Sequence, residues 1–156
     1  MIENSGHIRD VQTGDFEAIW RLHNLALIGT GAHAGNGDWD NDVRDPIGSY
    51  VALGGRFLVC EVDKTIVGMG AYLPIGGGSI EVKRMRVDPS HQGTGIARRV
   101  LAALEQNAKG DGFSRAILET TRQQKPAQVL YERNGYVRTH ESTFGGYEII
   151  HYEKAL

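Results

Sequence analysis

The spacing of apolar and polar residues divides the chain into short elements. Residues 7–11 alternate as a short strand. Across 15–28, Phe16, Ile19, Trp20, His23 and Leu27 recur near one face, which predicts an amphipathic helix. Residues 29–37 are glycine-rich and predict a loop. Asp45-Pro46 sets a capping carboxylate before a proline, so a helix starts there and ends near Gly54-Gly55. Strands at 56–62 and 65–73 flank Asp63-Lys64 and predict a hairpin. Three consecutive glycines, 76–78, lead into a strand at 80–87. From 94 to about 109, Ala97, Val100, Leu101, Leu104 and Ala108 share one helical stripe, with Arg98, Arg99, Glu105 and Gln106 off it. A strand at 115–121, a short helix at 127–134 closed by Gly135, and strands at 136–139 and 147–154 complete the chain. Central hairpins plus one strand–helix–strand crossover imply a mixed α/β sheet with helices on both faces.

Composition narrows this picture in three ways. A length of 156 residues favours a single domain spanning 1–156. With 17 basic and 19 acidic residues the net charge is −2, so the basic field of a nucleic-acid binder is missing and no nucleic-acid partner is expected. The N-terminal segment lacks a signal peptide's charged start and apolar core, and no stretch is long enough to span a bilayer. Together with a single cysteine, Cys60, set in an apolar run and unable to form an internal disulfide, this points to a cytoplasmic protein without a membrane partner. Cys60 itself reads as a buried structural thiol.

Chemistry concentrates at Val87-Asp88-Pro89-Ser90-His91-Gln92-Gly93-Thr94-Gly95-Ile96-Ala97-Arg98. A strand enters a turn that carries two glycines, and a helix follows at once. Glycines remove Cβ atoms where a ligand can approach the backbone. The first N–H groups of the helix have no intrahelical partner and carry partial positive charge, so the turn suits a phosphate or pyrophosphate. A dinucleotide fingerprint would need glycine where Arg98 stands, and the Gly-Lys-Ser/Thr of a P-loop is missing.

The pattern that fits is Gln/Arg-x-x-Gly-x-Gly/Ala, met by Gln92, Gly95 and Ala97. Upstream lies Lys83-Arg84-Met85-Arg86-Val87-Asp88-Pro89, and downstream Ala127-Gln128-Val129-Leu130-Tyr131-Glu132-Arg133-Asn134-Gly135-Tyr136. With these three segments, most of the chain resembles the GNAT superfamily of acyl-CoA-dependent N-acyltransferases. Tyr136 for the commoner Phe and Ala97 for Gly are mild departures. The resemblance implies the GNAT fold: a mostly antiparallel sheet of six to seven strands, splayed after the fourth. It implies transfer of an acetyl group from acetyl-CoA to a primary amine of a small molecule or peptide. Gln92, Gly93, Thr94, Gly95, Ile96 and Ala97 would hold the pyrophosphate. Met85, Arg86 and Val87 would lend strand groups to the pantetheine arm. Arg98 either meets a phosphate or lies on a solvated helix face. By resemblance Tyr131 is the general acid at the sulfur, a role that a neutral phenol can fill; otherwise it is a core tyrosine. Glu81 is the candidate base, or else a surface carboxylate paired with Lys83 or Arg84. Strand alternation puts Glu81 on the face of Lys83, Met85 and Val87 unless a bulge intervenes.

His23, His33, His140 and His151 are alternative bases, each more commonly structural, and His91 adjoins the glycine turn. No His, Cys or Asp spacing reads as a metal site. The acceptor pocket is least defined. Trp39 within Asp38-Trp39-Asp40-Asn41-Asp42 could meet a cationic amine, or anchor a solvated loop in the core, and Tyr147 is a second candidate wall. A homodimer is compatible with the resemblance. The rival readings are a non-catalytic acyl-CoA-binding module that regulates a partner, and a nucleotide binder.

Overall fold

The computed structural model describes residues 6–30 and 36–156, with side chains except at 27–30. The run Phe57-Leu58-Val59-Cys60 shows how the layers form. Leu58 and Cys60 join one core cluster while Phe57 and Val59 join another, so this strand is buried on both faces. The strands are β1 (His7–Asp10), β2 (Arg56–Val62), β3 (Thr65–Gly76), β4 (Ser79–Val87), β5 (Arg115–Thr121), β6 (Val137–Phe144) and β7 (Tyr147–Ala155), in sheet order β1-β2-β3-β4-β5-β7-β6. All neighbours are antiparallel except β4 and β5. Asp63 and Lys64 turn the β2–β3 hairpin with φ of 48° and 64°, the left-handed pair of a two-residue turn.

Helix α1 (Phe16–Thr30) covers one face, packing Ile19 and Leu22 on Val59 and Met69. It runs past the expected end at Ile28, because a glycine weakens a last turn without stopping it. Of the expected loop and its His33, residues 31–35 lie outside the described residues. Helix α4 (Ile96–Gly110) covers the other face through Ile96, Val100, Leu101, Leu104 and Ala108. It sits close because β3 carries glycine beneath it. A Cβ on Gly68 would meet Ile96 Cγ2 at 2.6 Å.

The region before β2 departs from expectation. A short helix α2 (Asn41–Arg44) occupies the acidic loop, and the helix expected from Pro46 is only α3 (Pro46–Ser49) followed by a 3₁₀ turn at Val51–Leu53. Asp45 caps as expected, accepting from the Gly48 N–H at 3.1 Å. Helix α5 (Lys125–Arg133) joins β5 to β6.

Two irregularities in β4 open the sheet and redirect its side chains. The strand pairs with β5 only through Ser79, Ile80 and Glu81, after which the two part. Its register against β3 slips between Met69 and Ala71, where Arg84 has φ of 60°. This bulge reverses side-chain parity. Ile80 and Val82 pack under α4 before it, and Met85 and Val87 do so after it. Glu81 is therefore on the opposite face from Met85 and Val87, not on theirs as alternation alone suggests.

Candidate active site

Where β4 and β5 part, two clefts meet. The larger, about 780 Å³, runs from Met85 and Val87 past the 92–98 turn to α5. The smaller, about 250 Å³, lies between Glu81, Lys83 and Arg84 on β4 and Glu119 and Thr120 on β5. Tyr131, Arg86 and Gln124 line both.

The glycine turn closes the far end of the larger cleft. Gly93 and Gly95 have φ of 78° and 83°, and the space where a Cβ would stand at Gly93 is open. These are conformations that glycine adopts without strain. The hydroxyl of Thr94 donates to the His91 carbonyl and tightens the turn. The first intrahelical bond runs from the Arg99 N–H to the Gly95 carbonyl at 3.1 Å, so the amides before it point out of the helix end. Ala97, placed on the apolar stripe by its spacing, instead lines the cleft together with Gln92, Ile96 and exposed Arg98. Arg99 donates to the Gly6 carbonyl at 3.0 Å, so the two arginines part ways.

Tyr131 is buried against the rings of Tyr136 and Tyr152, each 5.9 Å away between centroids. Burial pushes its phenol up to about 12, while the Arg86 guanidinium pulls the other way. Spacing in α5 explains its neighbours. Gln128 is one turn earlier, buried, and donates to the carbonyls of Thr121 and Arg122, fixing the β5–α5 turn.

The other candidates separate. Glu81 lines the smaller cleft, with Lys83 at 4.0 Å. Trp39 is 63% exposed, so it is no core anchor, and it lines neither cleft. Tyr147 also lines neither, whereas Ile149, two residues on, does. The acidic loop expected to attract a cation is largely committed internally. Asp40 accepts from Asn36 and the Gly37 N–H, and shares a 2.7 Å hydrogen bond with the buried Nε2 of His23. Asp42 takes a bidentate hydrogen bond from Arg84, at 2.9 and 2.7 Å, and another from the Tyr50 hydroxyl. Burial pushes His23 below its ordinary value, against the pull of Asp40, so it stands as a neutral packing group away from either cleft.

His140 and His151 stack at 4.0 Å on the last hairpin and line neither cleft. His91 lines the larger cleft beside the turn. Cys60 is buried, and burial pushes its thiol up, which suits an inert packing group. Among the described residues no cluster of His, Cys, Asp or Glu is placed to hold a metal. Among them, too, no helix is long and apolar enough to cross a membrane. Two groups that spacing did not single out emerge here: Arg84, which ties the bulge to α2, and Gln124, which accepts from Thr120 at 2.8 Å at the junction of the clefts. Neither has a local signal, since both depend on partners distant in the fold or on where two clefts meet.

A splayed mixed sheet, a glycine turn at one end of its opening and a phenol at the waist are the features that the resemblance to acyl-CoA-dependent N-acyltransferases implies. The acetyltransferase (GNAT) family model matches residues 16–136, and the chain belongs to that family. It is 42% identical to the IAA acetyltransferase of Azospirillum brasilense over 82 residues, 52% of this chain and 54% of that protein. It is 33% identical to human N-acetyltransferase 8 over 109 residues, 66% of this chain and 48% of that protein. The chain spans about half the length of the curated relatives it matches. The paia N-acetyltransferase of Thermoplasma acidophilum, solved in complex with coenzyme A, matches with a TM-score of 0.74 at 20% identity, covering 96% of this chain and 98% of that one.

Proposed function

We propose that the protein is an N-acetyltransferase that moves an acetyl group from acetyl-CoA to a primary amine by direct attack. The observation that carries this reading is the position of Tyr131, which lines both clefts where they join. The glycine turn suits the diphosphate of coenzyme A, because no Cβ crowds Gly93 and the helix start offers unpaired amides. The β4 edge released from β5 beyond Glu81 offers backbone groups to the pantetheine arm, in the manner of an added strand. Acetyl-CoA, when bound, supplies an activated thioester.

In the smaller cleft the chain presents a neutral amine to the thioester carbon. A C–N bond forms, the C–S bond breaks, and the electron pair leaves on sulfur. Tyr131 donates its proton there, and its phenolate takes one back from solvent. The nearby Arg86 charge eases that brief phenolate. Glu81, on the wall of the same cleft, accepts the proton lost by the amine, directly or through water.

The test is release of CoA thiol from acetyl-CoA over a panel of amines. Turnover is expected, and Tyr131→Phe should lower kcat about 10²- to 10⁴-fold with CoA affinity retained. Binding of acetyl-CoA with no turnover on any amine would identify a regulatory acyl-CoA module instead.

A further inference from the structure

Most half-buried arginines among the described residues meet carboxylates, while Arg99 donates to the Gly6 carbonyl. Arg9 holds Asp15 at 2.8 Å, Arg56 holds Asp111 at 3.1 Å and Arg84 holds Asp42 at 2.7 Å. Arg86 is half-buried too, yet among the described residues it meets none. Its Nη1 donates to the Met85 carbonyl at 2.9 Å, and its Nε is sealed from water without a partner. A guanidinium drawn from water without a counter-ion is costly. The charge of Asp40 acts on it without an ion pair, and the oxygens of Asp40 are taken by His23, Asn36 and Gly37.

We propose that Arg86 binds a carboxylate of the acceptor, so that the substrate class is an amino acid whose amine lies close to its acid group. The inference rests on the transferase reading above. Arg86 lines the smaller cleft and, with Tyr131, its junction with the larger one. The charges of the guanidinium and the phenol act on each other, so an anion held there lies near the reacting amine. Glu81 and Glu119 line the same cleft and complement an ammonium group on arrival. At about 250 Å³ the cleft falls below the range of about 300–1,000 Å³ for drug-sized ligands, which suits a single amino acid. Burial and Arg84 pull the Arg86 value down to about 10, so it stays charged at neutral pH.

The experiment compares phenylalanine, phenylalaninamide and phenethylamine, and likewise methionine and its decarboxylated amine. The wild-type protein should favour each acid by about tenfold to a hundredfold in kcat/KM, the scale of a charge-assisted hydrogen bond. Arg86→Met should bring that ratio close to one, and Arg86→Lys should restore part of it. Equal or better turnover of the uncharged partners by the wild-type protein overturns the inference and leaves acetyl transfer intact. So does a preference unchanged in Arg86→Met, or a loss of CoA affinity there, which would assign the guanidinium to the cofactor. Should no amine turn over, the transferase reading fails. Calorimetry of phenylalanine against the CoA-loaded protein then decides: affinity that Arg86→Met removes supports the carboxylate site, and absence of binding overturns it.

Discussion

At the scale of single residues, protonation decides what the site can do. A general acid must hold its proton across the working range, and the Tyr131 value of about 12 means that the phenol does so through neutral and mildly alkaline pH. The donating form exists below that value and is lost above it. A kcat profile taken between about pH 6 and 10 should therefore show no basic limb arising from the acid. A fall near pH 9 that disappears in Tyr131→Phe would contradict the burial argument. The proposed role of Glu81 as base bears on the opposite side of the profile. Removing a base matters most where few amines are neutral, so Glu81→Gln should depress kcat/KM more at pH 6 than at pH 9, and a parallel loss at both would remove Glu81 from that role. The place of Tyr131 on a short helix was legible because its motif is a covalent spacing within that helix. The face of Glu81 was not, because it depends on the bulge at Arg84, a residue whose φ of 60° nothing in its side chain announces. The acidic loop misled for a related reason. Asp40 and Asp42 carry the charge that a cation site needs, but the distant Arg84 pairs with Asp42, and the oxygens of Asp40 are taken by hydrogen bonds, one of them from neutral His23.

At the scale of elements, two glycines make opposite predictions. Gly95 opens α4 with φ of 83°, and the nearest atom to a Cβ there is Arg98 Nη2 at 4.0 Å. A β-branched residue would meet strain in the backbone, not a clash, at a cost of about 1–3 kcal/mol. The exposed turn can relax, but then its amides move. Gly95→Val should weaken CoA binding by about tenfold or more, read by calorimetry, while Tm falls by less than about 5 °C. Gly70 faces the reverse situation. A Cβ there meets Met85 Sδ at 2.5 Å, Val100 Cγ1 at 2.9 Å and Leu104 Cδ1 at 3.0 Å, inside the layer between β3 and α4. Overpacking costs about 1–3 kcal/mol, so Gly70→Ala should lower Tm by about 3–10 °C. Outside the α2–α3 region the element order was legible, because alternation and helical stripes are local. The short α2 in the acidic loop, and the shortening of the helix expected from Pro46 to α3 and a 3₁₀ turn, were not, since Tyr50 is buried whole and its hydroxyl is tied to Asp42, a demand of packing on residues distant from any local pattern.

At the scale of the molecule, the sheet is two halves joined by three residue pairs. Strands β1 to β4 form one half and β5, β7 and β6 the other, and across the seam Ser79, Ile80 and Glu81 pair with Arg115, Ala116 and Ile117, with the Ser114 N–H on the Gly78 carbonyl just before them. Beyond Glu81 the two halves diverge around the clefts, and neither strand completes the other. A ligand that lies in this opening and pairs with β4 bridges the halves, and stabilises the folded state by linkage. At a hundred times Kd, CoA should add about 2.7 kcal/mol, or about 5–10 °C in Tm. ATP and NAD at the same concentration should add little, because neither carries an arm to run along β4. The same geometry says where protection must appear. Amide hydrogen exchange should slow at residues 83–87 and 93–98 when CoA binds, since these line the opening and the turn. It should stay unchanged in β6, which is exposed along its whole length and lies two strands from the seam. A rise in Tm without protection at 83–87 would mean that CoA grips the turn alone. The β4 edge would then play no part in holding the arm, and the divergence of the two halves would need another cause.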